Sequence, residues 1–183
     1  MKNFKTIALA ASFITLFSCS KSNTAPVNEE EVITTVTTTL VGGGQTIILK
    51  SKDLDGDGPN APVVTVSGNL TANTTYMGST TFLNELETPA DNITLEVLEE
   101  GTDHQLFYQA PSAVGTFTYS DLDANGKPIG LQFSLVTTAP TSGNIVVTLK
   151  HLPNKSASGV ATGNITNAGG NTDAVVTFPV VVQ

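Results

Sequence analysis

The amino-acid sequence predicts an all-β protein, an Ig-like β-sandwich of two similar β-units with about eight or nine strands. From residue 31 onward, threonine and valine are abundant and are interrupted by Gly, Asn, Asp and Pro, which is typical of short strands joined by turns. Several segments alternate apolar and polar residues with a period of two, so each strand has one face for a core. The alternation is clearest in residues 115–120, 131–135 and 145–151.

An internal repeat is the third observation behind this prediction. Residues 48–55 resemble residues 116–123, and both stretches end in Asp-Leu-Asp. The shift between these two stretches also brings the strand that opens the first half onto the strand that opens the second half. The strands that follow the Asp-Leu-Asp turns occur in the same order in both halves. We therefore expect two β-units, at about residues 32–85 and 100–153, packed together into one sandwich.

One segment departs from the strand pattern. Pro89 follows a threonine that can serve as an N-cap, Ile93 and Val97 recur at helical spacing, and Gly101 can end a helix. These residues predict a short helix at residues 89–100, covering an edge or an end of the sandwich.

The equivalent part of the second half differs in composition. Residues 154–171 are rich in Gly, Asn and Ser, which predicts a long loop of the kind that is often functional or mobile. In the last strand, Pro179 predicts an edge position or a bulge.

The N-terminus has the features of a bacterial lipoprotein signal peptide. Lys2 and Lys5 precede an apolar stretch at residues 7–17 that is too short to span a bilayer. Cys19, the single cysteine of the chain, directly follows a small residue. This arrangement resembles the lipobox, in which the cysteine is acylated after the signal peptide, here residues 1–18, is removed.

This organisation predicts a protein held in the cell envelope by lipid. Residues 19–30 are polar and lack periodicity, so we expect a flexible lipidated tether. Residues 31–183 have the length of a single domain. The predicted location is the outer membrane, on its periplasmic or its surface side, where an outer-membrane protein or an uptake system is a plausible partner.

The charge balance argues against nucleic-acid binding. Sixteen Asp and Glu residues face eight lysines and no arginine, which gives a formal net charge of −8. A protein of this charge repels phosphate, whereas nucleic-acid binding requires a basic surface.

Two aspartate-rich turns are candidate calcium sites. Each places carboxylates at alternate positions beside a glycine, and such oxygens suit a hard cation. The alternative is a solvated hairpin turn, for which Asp-Gly is a strong signal. The candidate ligands are Asp53, Asp55, Asp57 and Asn60 in the first turn, and Asp121, Asp123 and Asn125 in the second.

The two histidines of the chain form a second candidate site. His104 and His151 both lie at strand ends on the apolar register of their strands. Together they could bind a transition metal or haem iron. Alternatively, each is satisfied separately, by backbone groups or by Asp103.

The sequence does not predict an enzyme. It lacks the Gly-x-Ser-x-Gly nucleophile motif, and Asp103 and His104 point to opposite faces of a strand because they are neighbours.

Seven segments of the chain carry a resemblance to a known group of proteins: residues 29–35, 53–58, 73–76, 82–85, 103–105, 150–155 and 168–173. On these segments the whole mature chain, residues 19–183, resembles a group of short Gram-negative outer-membrane lipoproteins that carries the name type 1 periplasmic binding fold superfamily. The resemblance implies an envelope lipoprotein and assigns no activity. The strand pattern predicts a β-sandwich rather than the two α/β lobes that the name suggests.

The functional prediction is therefore a lipid-anchored, non-enzymatic binding or accessory module, with calcium as a stabilising cofactor if the aspartate turns bind it. The first alternative is a lipoprotein that captures a transition metal or haem through His104 and His151 for nutrient uptake. The second is a structural or adhesion module of the envelope.

Overall fold

The computed structural model describes residues 31–56 and 58–183, which form two antiparallel β-sheets packed face to face. The predicted signal peptide, Cys19, the tether and Asp57 lie outside the described residues. The strands are β1 (Thr35–Gly42), β2 (Gln45–Lys52), β3 (Val63–Val66), β4 (Thr75–Leu83), β5 (His104–Gln109), β6 (Gly115–Tyr119), β7 (Gln132–Thr137), β8 (Thr141–His151) and β9 (Asn171–Val182).

Within the described part of the chain, the sheets contain six and three strands. The larger sheet has the order β3-β2-β1-β4-β7-β6, and the smaller has the order β5-β8-β9. This architecture confirms the predicted all-β sandwich, and its nine strands agree with the expected number.

The alternation seen in the sequence directs apolar side chains between the sheets. In β4, for example, alternate residues are buried from Tyr76 to Phe82, whereas Met77 and Thr81 on the opposite face are exposed. Burial of these side chains is the main force that holds the two sheets together. The largest fully buried apolar side chains in the core between the sheets are Leu40, Leu49, Leu70, Tyr76, Phe82, Leu106, Phe133, Leu135, Ile145, Leu149 and Phe178.

The two halves of the predicted repeat are assembled differently. In the first half, Gly43 and Gly44 adopt positive φ angles and form a tight hairpin, so β1 and β2 are neighbours. The corresponding link in the second half contains Pro111, whose carbonyl accepts a hydrogen bond from the Val114 N–H in a turn. That turn carries the chain from β5 in the smaller sheet to β6 in the larger one, so the second unit is divided between both sheets.

The predicted helix is present but begins later than expected. Helix α1 spans Ile93–Glu99 instead of residues 89–100. Its start is delayed because Asn84 and Asp91 exchange backbone hydrogen bonds in an isolated bridge, which keeps residue 91 extended. The helix buries Ile93 and Val97, as predicted. Among the described residues, no helix has the length and hydropathy needed to cross a membrane.

The glycine-rich segment after β8 folds over the outer face of the smaller sheet. Two 3-10 turns, Val160–Thr162 and Ile165–Asn167, lie within it. Val160 packs against Phe107 of β5, and its carbonyl accepts a hydrogen bond from the side chain of Gln105. Strand β5 is therefore covered on both faces, although it lies at the edge of its sheet.

Strand β9 lies at the other edge of the smaller sheet, as Pro179 predicted. A proline is tolerated there because an edge strand leaves some backbone groups without a ladder partner.

Candidate metal centre at the end of the sandwich

The two histidines meet at one end of the sandwich. His104 begins β5 and His151 ends β8, and the register of this antiparallel pair places them directly opposite each other. The register follows from the apolar alternation, which aligns Leu106 with Leu149 on the core face. Strand β9 begins beside β8 at the same end and brings Asp173 to the pair.

The histidine rings are stacked rather than separate. Their centroids lie 4.7 Å apart with an angle of 24° between the ring planes. His104 is fully buried, whereas His151 is half-buried and can be reached from solvent. Asp103 was the alternative partner considered from the sequence. Its backbone carbonyl accepts a hydrogen bond from the Leu152 N–H. Within the described structure, no contact of its side chain with either histidine is found.

Two carboxylates face the buried ring. His104 Nε2 lies 3.1 Å from Glu31 Oε1 and 3.8 Å from Asp173 Oδ2. The carboxylate side chains are themselves enclosed, with 10% of Glu31 and 2% of Asp173 exposed. Neither was predicted as a site residue, because the contacts join strand ends that are far apart in the sequence.

The other ring nitrogen fixes the protonation pattern of His104. Nδ1 lies 3.3 Å from the carbonyl oxygen of Glu100, which can only accept a hydrogen bond. Nδ1 therefore carries a proton, and in the neutral ring Nε2 has a lone pair directed at the carboxylates. A lone pair facing a carboxylate is repulsive, so a positive charge between them, either a proton or a metal ion, is favourable.

These surroundings change the acidity of the ring. Burial alone would lower the pKa of His104, but the hydrogen bond and charge of Glu31, the Glu100 carbonyl and the charge of Asp173 outweigh it and raise the pKa above its ordinary value. In the absence of a metal, these surroundings therefore favour the imidazolium form of His104. The titratable residues around the ring are Glu31, Glu96, Glu100, His151 and Asp173.

The arrangement offers the ligands of a transition-metal site. One potential ligand atom from each of His104, His151 and Asp173 lies within 4.8 Å of the others. Glu31, Glu100 and His104 form a second group of the same size that shares His104. Imidazole nitrogen combined with carboxylate oxygen suits Zn²⁺ and its first-row neighbours.

A cleft leads to this end of the sandwich. It has a volume of about 320 Å³ and lies between strands β1–β3 and β9. Thr34, Asp53 and Asp173 contribute to its walls. A cleft with carboxylates along its walls attracts cations, which suits an entry path for a metal ion.

The first aspartate turn is organised by hydrogen bonds within the protein. Asp53 Oδ1 accepts hydrogen bonds from the backbone N–H groups of Asp55 and Gly56, at 3.2 and 2.9 Å. Asp55 Oδ2 accepts two from Asn60, at 2.8 Å from the side-chain amide and 3.2 Å from the backbone. The Asn60 bonds lower the pKa of Asp55. The turn matches a solvated hairpin, and the calcium prediction for it stays untested.

The second aspartate turn contains a cation from the protein itself. The Lys155 ammonium donates hydrogen bonds to the carbonyls of Gly101 and Pro128 and to Asp123 Oδ2, the last two at 2.9 Å. Asp123 Oδ1 accepts from the backbone N–H groups of Asn125 and Lys127. Although burial would raise the pKa of Asp123, these donors lower it overall.

Asp121, the remaining carboxylate of the second turn, is also engaged. Its two oxygens accept hydrogen bonds from the backbone N–H groups of Gly130 and Gln132. Lys155 therefore neutralises Asp123 in this turn. The calcium prediction for the turn stays untested.

Comparison of the chain with protein-family models, with curated proteins and with solved structures finds no match. The resemblance to short Gram-negative lipoproteins accordingly stays a prediction. Function must be argued from the geometry of the site and from the N-terminal sequence.

Replacing Asp55 with alanine distinguishes calcium binding by the first turn from stabilisation of that turn by hydrogen bonds within the protein. We expect the melting temperature to fall by the same amount in excess calcium and in chelator, because Asp55 Oδ2 binds Asn60 in either case. Thermal unfolding followed by circular dichroism provides the measurement. A fall seen in calcium alone would contradict this expectation and support the calcium site.

Replacing Lys155 with methionine tests the internal cation of the second turn. The change leaves the Asp123 charge buried, with 1% of its side chain exposed, and should lower the free energy of unfolding by about 3–5 kcal/mol. Urea denaturation is the measurement. The Lys150→Met variant, in which only solvent-exposed hydrogen bonds of the ammonium are lost, is the control and should lose less than about 1 kcal/mol. Equal losses in the two variants would show that the buried pair has no special role.

The raised pKa of His104 predicts a pH dependence of stability in the metal-free protein. The stabilisation is fully present below the unfolded-state pKa of about 6.5 and is lost as the pH rises through the higher folded-state pKa. In chelator, the urea midpoint should therefore fall as the pH is raised above about 6.5 and through the higher folded-state pKa. The His104→Gln variant should show a flatter profile, and an unchanged slope in that variant would contradict the assignment.

Proposed function

We propose that this protein is a lipid-anchored, non-enzymatic envelope module whose β-sandwich domain binds a transition-metal ion. His104, His151 and Asp173 are the ligands. The observation that carries the proposal is the fully buried His104 ring, whose Nε2 faces two carboxylate oxygens within 4 Å while the second histidine stacks on it.

The carboxylates beside the ring also suit a divalent ion. Glu31 Oε1 and Asp173 Oδ2 both lie within 4 Å of His104 Nε2. Carboxylate oxygens beside an imidazole nitrogen attract a cation, and a divalent ion bound to the neutral ring interacts with both.

The orientation of the His104 ring also supports metal binding. Metal-bound histidines usually donate the hydrogen of the second ring nitrogen to a carbonyl or a carboxylate, and Nδ1 of His104 has such a partner in the Glu100 carbonyl. One nitrogen of the half-buried His151 ring lies within 4.8 Å of ligand atoms of His104 and Asp173, so His151 can supply the second imidazole ligand. A His₂-carboxylate set binds Zn²⁺, Cu²⁺ or Ni²⁺ well, whereas calcium prefers oxygen ligands alone.

Haem fits this position less well than a small ion. A haem iron needs an accessible imidazole nitrogen with room for the flat macrocycle around it. His104 is fully buried, and its Nε2 is bordered by Glu31 and Asp173.

The cellular role in this proposal is capture of metal ions at the membrane. Cys19 and the preceding apolar stretch are the basis for lipid anchoring, since two or more acyl chains suffice for stable attachment. A metal-binding domain tethered to the outer membrane can supply an uptake system in the same membrane, which is the proposed partner.

Zinc binding to the metal-free protein tests the proposal. Zinc at about a hundredfold excess over Kd should stabilise the fold by about 2.7 kcal/mol and raise the melting temperature by roughly 5–10 °C. The His151→Gln and Asp173→Asn variants should bind zinc at least about tenfold more weakly by isothermal titration calorimetry. Copper and nickel are tested in parallel.

The exposed Asp91→Asn variant is the control for charge, and it should retain the affinity of the parent protein. His151 is the preferred histidine for substitution because it is half-buried, so its variant should fold in the absence of metal. Full zinc, copper and nickel affinity in the His151→Gln and Asp173→Asn variants would refute the proposed ligands. The absence of any metal response in the parent would refute the function.

A further inference from the structure

We infer that strand β6 is an interaction surface for a second copy of this chain, pairing with the β6 strand of that copy in an antiparallel register centred on Phe117. The larger sheets of the two copies then join edge to edge into one sheet of twelve strands, six from each copy. This symmetric dimer does not depend on the metal site.

The backbone of β6 has hydrogen-bonding groups that face away from its own sheet. Strand β6 lies at the edge of the larger sheet, where its ladder partner is β7. The Ser120 N–H donates to the Gln132 carbonyl of β7, and the backbone groups of an antiparallel strand point to a given neighbour at every second residue. The even-numbered residues of β6 therefore bond to β7. The N–H and C=O groups of Phe117 and Tyr119 face outward, as does the Gly115 carbonyl.

An open cleft runs along this free edge. It has a volume of about 380 Å³, and its walls include Phe117 and Tyr119 of β6 and Tyr108 of β5. The Phe117 ring is half-buried and stacks on Tyr108, with the ring centroids 5.3 Å apart. The edge is thus reachable from solvent, and an aromatic side chain from outside can complete the burial of Phe117.

Strand β6 lacks the features by which proteins usually prevent edge strands from pairing, such as proline, charged side chains, bulges or a covering segment. Among the other edge strands of the described structure, β9 contains Pro179 and a register shift, and β3 has four residues. Strand β5 is covered by the segment that contains Val160. The sequence of β6 is Gly-Thr-Phe-Thr-Tyr, and residues 105–120 include no charged side chain.

The sequence of β6 is complementary to itself in one antiparallel register. When Phe117 lies opposite Phe117 of the second copy, the outward-facing backbone groups of the two strands meet. Tyr119 then lies opposite Gly115, and an aromatic side chain placed beside an edge glycine is favourable. On the exposed face Thr116 lies opposite Thr118, and such a pair contributes about 0.2–1 kcal/mol.

The distribution of charge favours the antiparallel direction. Asp121 closely follows β6, whereas residues 110–114, which precede it, carry no charge. Antiparallel pairing places Asp121 of each copy beside the uncharged residues of the other. Parallel pairing would bring the two Asp121 carboxylates together, which is unfavourable in a protein with a net charge of −8.

Sedimentation equilibrium of the full chain, in density-matched detergent with chelator, tests the inference. The parent protein should form dimers with a Kd of about 100 µM or lower. The Thr116→Glu/Thr118→Glu variant places like charges opposite each other and should weaken association by at least about tenfold. The Thr116→Lys/Thr118→Glu variant places opposite charges in the same pairs and should associate within about threefold of the parent.

The Thr75→Glu/Thr81→Glu variant is the matched control, because it adds the same charge to exposed positions of the central strand β4. It should associate as the parent does. A parent protein that stays monomeric would overturn the inference and leave the β6 edge to an extended segment of a different protein. Equal weakening in the two β6 variants would refute the register, and unchanged dimers in Thr116→Glu/Thr118→Glu would place the interface elsewhere.

Discussion

The end of the sandwich is organised around the His104 ring, which is buried beside two carboxylates that favour a positive charge on the ring or next to it. Its Nδ1 is committed to the Glu100 carbonyl, so any positive charge must be placed at Nε2, where Glu31 and Asp173 converge. A proton supplies this charge below the folded-state pKa of His104, and in the proposed function a metal ion supplies it instead. We therefore expect the stability of this end to depend on which of the two is present.

The strand register makes this arrangement possible. In the β5–β8 pair, His104 lies opposite His151, and a shift of one residue would turn one ring to the other face of the sheet. The apolar core fixes the register, so the forces that fold the sandwich also assemble the site. The second aspartate turn provides a contrast, because Lys155 neutralises Asp123 there permanently. The second turn carries its own cation, whereas the proposed metal site relies on a proton or a bound ion at His104.

Features that depend on the local pattern of apolar and polar residues could be predicted from the sequence. Alternation identified the strands, and the position of His104 and His151 on apolar registers marked them as a possible pair. The roles of Glu31, Asp173 and Lys155 could not be predicted, since each depends on contacts between segments far apart in the chain. The start of the helix was misjudged for a similar reason: the bridge between Asn84 and Asp91 overrides the local helix signals at residues 88–91. Lipid anchoring at Cys19 stays a prediction from sequence alone.

Nitrogen NMR of the imidazole rings tests the central claim most directly. In chelator, Nδ1 and Nε2 of His104 should both be protonated at mildly acidic pH, with Nε2 losing its proton as the pH is raised through the raised folded-state pKa. Addition of zinc should release the Nε2 proton and shift that nitrogen to a metal-bound resonance, while Nδ1 remains protonated by virtue of the Glu100 carbonyl. Unchanged Nε2 resonances in excess zinc, copper and nickel would contradict the account and leave His104 as a structural ion pair.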